Sequence, residues 1–218
     1  MAAPKLPVSK MQSSGKIVNG QDADVGEWPW QVSLLYKSGG SWGLICGGTL
    51  ISPNRVITAA HCVVGAGASS FRVGVGDYNT ARSDDPDEQV IQVTSYKMHE
   101  DYDDADIDAG WPGDIAILNL AEDANTASPY IQDIELAADD DNTDNCFITG
   151  WGRMNRKKYP DILQETPIDV MSQADCKRLL GQCIHRTWAY LFVGQCIKFL
   201  FDSIMQKTTP WTLLWHAA

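Results

Sequence analysis

The first residue suited to bond-making chemistry is the histidine in Thr58-Ala59-Ala60-His61-Cys62. An imidazole titrates near neutrality, so it can take a proton and later return it. Fifty-three positions on, Asp114 opens the run Asp114-Ile115-Ala116-Ile117-Leu118. A carboxylate ahead of an apolar strand is usually a turn residue or a cap, and it gains a chemical role only if a base lies beside it. Two more signatures flank these, Lys16-Ile17-Val18-Asn19-Gly20 upstream and Cys146-Phe147-Ile148-Thr149-Gly150-Trp151-Gly152-Arg153 downstream. The stretch Asp77 to Glu88 offers hard carboxylate oxygens of the kind calcium takes, with a solvated acidic loop as the plainer reading. Six cysteines (Cys46, Cys62, Cys146, Cys176, Cys183, Cys196) suit an extracellular, disulfide-bonded domain. Their spacings form no zinc pattern, because no C-x-x-C pairs with another or with two histidines.

The elements that must hold these residues read as short strands between turn signals. Candidates are Trp30–Tyr36, Cys46–Ser52, Arg55–Ala59, Phe71–Val75, Gln89–Met98, Asp114–Leu120, Cys146–Gly150 and Leu163–Met171. Each carries β-branched or aromatic residues, and Gly, Pro, Asn or Asp punctuate the gaps. Many short strands with few helical stretches predict an all-β barrel or sandwich. The spacing predicts one helix over Ser172–Leu180, with Ser172 as its N-cap. After Gly181 the character changes: residues 181–218 hold seven aromatics and a single acid, Asp202, with no clean alternation. That tail reads like a different protein, as a frame change or alternative exon near Gly181 would produce.

Taken in order, the four signatures closely resemble the chymotrypsin/trypsin-like serine protease family over about Lys16 to Lys177. The resemblance implies an all-β fold of two antiparallel barrels, the second incomplete here, with the site between them. It implies His61 as general base, Asp114 as the buried acid that fixes the imidazole tautomer, and a Cys46–Cys62 bridge pinning the histidine turn. It implies a zymogen cut after Lys16 by a trypsin-like protease, freeing an ammonium on Ile17. A buried ammonium is tolerable only against a carboxylate partner, which the family places next to its nucleophilic serine. Several family members also hold a structural calcium in the loop matched by Asp77–Glu88, with Asp77, Asp87 and Glu88 as candidate ligands. The family's Gly-Asp-Ser-Gly-Gly-Pro segment, which carries the nucleophile, occurs nowhere in this chain. Ser172 comes too early. Ser203 follows Asp202 but sits beside Phe201, Ile204 and Met205 instead of the glycines a tight oxyanion-binding turn demands. No cysteine stands where the family partner of Cys146 would be.

The totals set outer limits. A net charge of −11 argues against nucleic acid, whose phosphates need Lys and Arg clusters. No uncharged apolar run reaches a membrane span. Residues 1–16 lack an apolar core of seven or more, so they do not read as a signal peptide although the cysteines point outside the cell. The expected organisation is an activation segment at 1–16 and a protease domain at 17–218. Within that domain, a first barrel covers about 17–121, a second starts over about 135–180, and the tail is 181–218. Three functions follow: a serine endopeptidase acting on proteins or peptides, inactive as written for want of a nucleophile; a non-catalytic homologue acting as a protein-binding decoy or cofactor; or a chain whose half-built second barrel exposes strand edges and aggregates.

Overall fold

The computed structural model describes residues 20–103, 113–136, 146–152 and 159–168. The expectations placed on Lys16, Ile17, the helix Ser172–Leu180, Ser203 and the tail lie outside those residues. Among the described residues there are nine strands: β1 Gln21–Asp22, β2 Gln31–Ser38, β3 Ser41–Ser52, β4 Arg55–Thr58, β5 Phe71–Val75, β6 Gln89–Met98, β7 Ala116–Leu120, β8 Cys146–Gly150 and β9 Gln164–Ile168. The only helical elements among the described residues are two 3₁₀ turns, Ala60–Cys62 and Ala68–Ser70. The protein is all-β.

β2 to β7 close a six-stranded antiparallel barrel in the order β2-β3-β4-β7-β6-β5. The sequence dictates the inward faces by period-two alternation. On β5, Phe71, Val73 and Val75 point in; on β7, Ala116, Leu118 and Leu120 do the same. With Val32, Leu34, Leu50, Val56, Ile91 and Val93 they form one buried cluster. Closure removes free strand edges, which is how a small barrel avoids pairing with other chains.

Several strand boundaries differ from the sequence reading: β2 runs Gln31–Ser38 instead of Trp30–Tyr36, β4 ends at Thr58 instead of Ala59, and β9 begins at Gln164 instead of Leu163. β3, β7 and β1 differ for identifiable local reasons. β3 begins at Ser41 instead of Cys46, because the two-residue tip Gly39-Gly40 turns β2 straight into it. Both glycines have positive φ, +58° and +90°, which matches the tight hairpin twist that other residues resist. β7 begins at Ala116 instead of Asp114, since Gly113 (φ +70°) opens a turn that leaves Asp114 outside the ladder. β1 is too short for any periodicity to reveal.

The second sheet has the order β1-β9-β8 among the described residues. Gln21 pairs with Glu165 and Asp22 with Gln164, while Cys146 to Gly150 run antiparallel to Ile168 to Gln164. Buried polar bonds seam it to the barrel. Thr149 Oγ1 donates to Gln31 Oε1 at 2.7 Å, and Trp28 Nε1 donates to Glu165 Oε2 at 2.7 Å. Within the second sheet itself, Gln21 Nε2 donates to the other oxygen of Glu165, also at 2.7 Å. Trp28 stacks at a tilt on Phe147 with centroids 5.2 Å apart. A second contact line joins the loop after β5 to the segment before β9: Asn79 bridges Ile162, Leu163 N–H donates to Tyr78 O, and Thr80 N–H donates to Asp161 O.

Candidate active site

The β4–β7 register builds the site. Thr58 pairs with Ala116, so the chain leaving β4 and the chain entering β7 run side by side. Three residues past Thr58 and two before Ala116, His61 and Asp114 meet. Small residues permit the tight exit, with Ala59 and Ala60 both buried and Ala60 beginning the 3₁₀ turn that carries His61. Thr58 Oγ1 donates to Gly47 O at 2.8 Å, and a Cys46–Cys62 disulfide with Cα atoms 6.3 Å apart ties the turn to β3. Closing a loop of that size contributes about 3 kcal/mol in the chain-entropy model.

Asp114 holds the histidine by both oxygens. Oδ1 accepts the backbone N–H of His61 at 2.8 Å, and Oδ2 accepts the ring Nδ1–H at 2.7 Å. A carboxylate only accepts, so Nδ1 carries the ring proton and Nε2 presents a lone pair. The carboxylate is the more sheltered partner, 18% exposed against 44% for the imidazole. Gly113 fixes its approach, since a Cβ there would fall 2.8 Å from the backbone N of Tyr102. His99 N–H donates to Ile115 O at 2.9 Å from the neighbouring strand end. The arrangement can hold one tautomer, aim Nε2 outward and stabilise the imidazolium that forms when it takes a proton. Nε2 also lies 3.4 Å from Cys62 Sγ.

The acidic loop does not gather its three candidate ligands equally. Burial pushes the Asp77 carboxyl up, the Asp85 charge adds to this, and the Ser33 hydroxyl beside it opposes both. That hydroxyl approaches without meeting hydrogen-bond geometry. Glu88 is also pushed up, by burial first and then by the charges of Asp77, Asp85 and Asp84. Asp77 Oδ1 and Glu88 Oε2 are both buried without a hydrogen-bond partner. Asp87 does not join them: it is exposed, has φ +59°, and its Oδ2 accepts the Ser128 hydroxyl at 2.8 Å. Asp85, which the sequence reading did not single out, shapes the loop instead. Its Oδ2 accepts the N–H groups of Tyr78 and Asn79 at 2.9 and 2.6 Å, and Oδ1 faces Arg82 at 3.5 Å. Nothing in the run Asp84-Asp85 marks which acid turns inward. Cys146 is disulfide-bonded, and its partner lies outside the described residues. No described helix is long and apolar enough to cross a membrane.

The fold thus seats an Asp–His pair beside the exits of two barrel strands. The trypsin family model matches residues 17–190, and the chain belongs to that family of serine proteases. It is 41% identical over 169 residues to Chymotrypsin-like elastase family member 1 of Rattus norvegicus, covering 76% of this chain and 61% of the relative. It is 37% identical over 171 residues to Chymotrypsin-like elastase family member 3B of Homo sapiens, covering 76% and 61%. A similar match, 38% over 164 residues, covers 73% of this chain and 65% of the Fibrinolytic enzyme, isozyme C, of Lumbricus rubellus. The chain thus spans less than two thirds of the length of these relatives.

Proposed function

We propose that this chain is a serine-endopeptidase scaffold that keeps its acid–base pair, His61 and Asp114, but does not complete peptide-bond hydrolysis. The bidentate hold of Asp114 on His61, at 2.8 and 2.7 Å, carries the reading of these two as base and orienting acid. In such a site Nε2 removes the proton of an attacking hydroxyl, and the imidazolium returns it to the leaving amine. The Asp114 carboxylate, bonded to Nδ1 at 2.7 Å, stabilises the charge that forms on the ring. Without a supported hydroxyl no acyl-enzyme forms, and the chain after residue 170 offers only Ser172 and Ser203, neither flanked by the glycines an oxyanion-binding turn needs.

The remaining features fit an extracellular zymogen cut after Lys16 by a trypsin-like protease, with proteins or peptides as the lineage's substrates. The two buried, unpartnered oxygens of Asp77 and Glu88 suit a structural calcium, which would neutralise a repelling pair of carboxylates. The test is a fluorophosphonate probe on protein cleaved after Lys16. No covalent adduct is expected. An adduct on Ser203, or casein digestion abolished by His61→Ala, overturns the proposal. A second reading, a protein-binding homologue, is favoured by the exposed Leu44 and Ile45 on β3, just before Cys46. It requires a captured partner whose binding is lost in Leu44→Asp and Ile45→Asp variants.

A further inference from the structure

Two cations and an indole meet on the outer face of the barrel. Alternation turns Phe71 and Val73 inward on β5 and leaves Arg72 facing out. On the neighbouring β2, Tyr36 pairs with Phe71 and leans on it at the core, with centroids 5.5 Å apart. Leu35, which pairs with Arg72, therefore faces out with it, as does Lys37 two residues on. Register then sets Trp42 opposite Lys37 and Leu44 opposite Leu35 on β3. Opposed residues share a face, and long side chains reach their diagonal neighbours. Arg72 reaches across in this way: its Cζ lies 4.2 Å from the centroid of the Trp42 ring, and Lys37 Nζ lies 5.9 Å from the same centroid.

Stacking fixes the plane of the guanidinium without using its N–H donors. Among the described residues, no carboxylate lies within ion-pair distance of Arg72 or Lys37. Arg82 shows the contrast, facing Asp84 at 3.3 Å and Asp85 at 3.5 Å. In a chain of net charge −11, two unopposed cations on one face invert the local sign. Lys37 is exposed, Arg72 and Trp42 are half-buried, and the exposed Leu44 extends the face with apolar surface.

We propose that Lys37, Trp42 and Arg72 form a docking site for an acidic peptide segment of a partner protein. One carboxylate takes the Arg72 fork, whose two parallel N–H groups match its geometry, and a second faces Lys37. An apolar side chain beside them lies along Leu44. A long sulfated or phosphorylated polyanion fits less well, because its binding relies on neutralising many charges at once, and this face offers two. Neither His61 nor Asp114 takes part. The inference goes beyond the loss of hydrolysis, since an active protease with this face would bind the same segment.

The test is fluorescence anisotropy on the full chain with a fluorescein-labelled peptide of alternating glutamate and leucine. A peptide of alternating glutamine and leucine is the control. The acidic peptide should bind saturably, and severalfold more weakly in about 0.5 M salt than in about 0.05 M. Arg72→Gln should weaken binding about tenfold, the loss expected for a charge-assisted hydrogen-bonded pair. Arg72→Lys, which keeps the charge and loses the fork, and Lys37→Gln should each weaken it roughly threefold. Arg82→Gln makes the same change in net charge within the acidic loop and should stay within about twofold of the parent. All these side chains face out, so near-UV dichroism should match the parent. Absence of binding at about 1 mM peptide overturns the proposal. Equal binding of the glutamine peptide, an Arg72→Gln variant that binds like the parent, or equal losses in Arg82→Gln and Arg72→Gln do so as well. A heparin fragment that binds this face where the peptide does not would overturn it in favour of a polyanion.

Discussion

Replacing Glu165 by leucine should loosen the joint between the barrel and the second sheet. Glu165 is 4% exposed and accepts one N–H on each oxygen, from Trp28 and from Gln21. Leucine keeps the bulk and removes both acceptors. Trp28 is itself 4% exposed, so its indole N–H stays orphaned in a dry site, at a cost of about 2 kcal/mol. Gln21 is only half-buried and can turn to water, so its lost bond costs about 1 kcal/mol more. The sum, about 3 kcal/mol, lowers the melting temperature by roughly 10 °C for a domain of this size. Glu165→Gln is the control. Its remaining oxygen can still face Trp28, and Gln21 can flip its own oxygen toward the new amide, so the loss should be about 1 kcal/mol. Urea unfolding followed by near-UV dichroism and tryptophan emission reads both values. A leucine variant within 1 kcal/mol of the parent, or a glutamine variant as weak as the leucine one, would falsify the reasoning.

Other perturbations address the acidic loop and the barrel. Asp77 and Glu88 are raised in the folded state, so the folded calcium-free chain holds more protons than the unfolded chain at mildly acid pH. Their contribution to stability is therefore greatest in acid and declines as pH rises through the folded values. Added calcium should raise the melting temperature more at pH 7.5 than at pH 5, in scans run with and without chelator. Asp77→Asn should stabilise the calcium-free protein at neutral pH and abolish its response to calcium; a variant that still responds removes Asp77 as a ligand. Gly48→Ala sets a Cβ 2.7 Å from the backbone oxygen of Ile57, across a ladder that cannot give way. It should cost about 2–3 kcal/mol in denaturant melts. A Cys46→Ser, Cys62→Ser double variant should lose about 3 kcal/mol, and a loss below 1 would mean that the Thr58–Gly47 tie alone holds the turn.

What could be read in the sequence, and what could not, divides along physical lines. That His61 and Asp114 would meet was expected from the resemblance of the motifs around them, since a lone histidine or a strand-opening acid carries no such message by itself, and the structure does bring them together. β5, β6 and β8 match the sequence reading to the residue, marked by their β-branched and aromatic residues between turn signals, which are local properties. Glu165 was not legible. In Leu163-Gln164-Glu165-Thr166 it looks like the polar half of a strand, and only a partner 137 positions away makes it a buried acceptor. Asp85 was hidden for the opposite reason, among acids so alike that only the loop's path distinguishes them. The Cys46–Cys62 bridge beside His61 was expected only from the resemblance, and the structure forms it.

The short strand β1 imposes an order on how the molecule comes into being. The six strands of the barrel fall within Gln31–Leu120, so that unit can close as soon as it has left the ribosome. Gln21, by contrast, must wait for a partner 144 residues downstream. Contacts of such long separation are the slow ones, since the chain loses loop entropy before any pairing rewards it. Strand β1 is thus among the last parts to settle, and a chain cut short before residue 165 would carry a sealed barrel with β1 lacking its β9 partner.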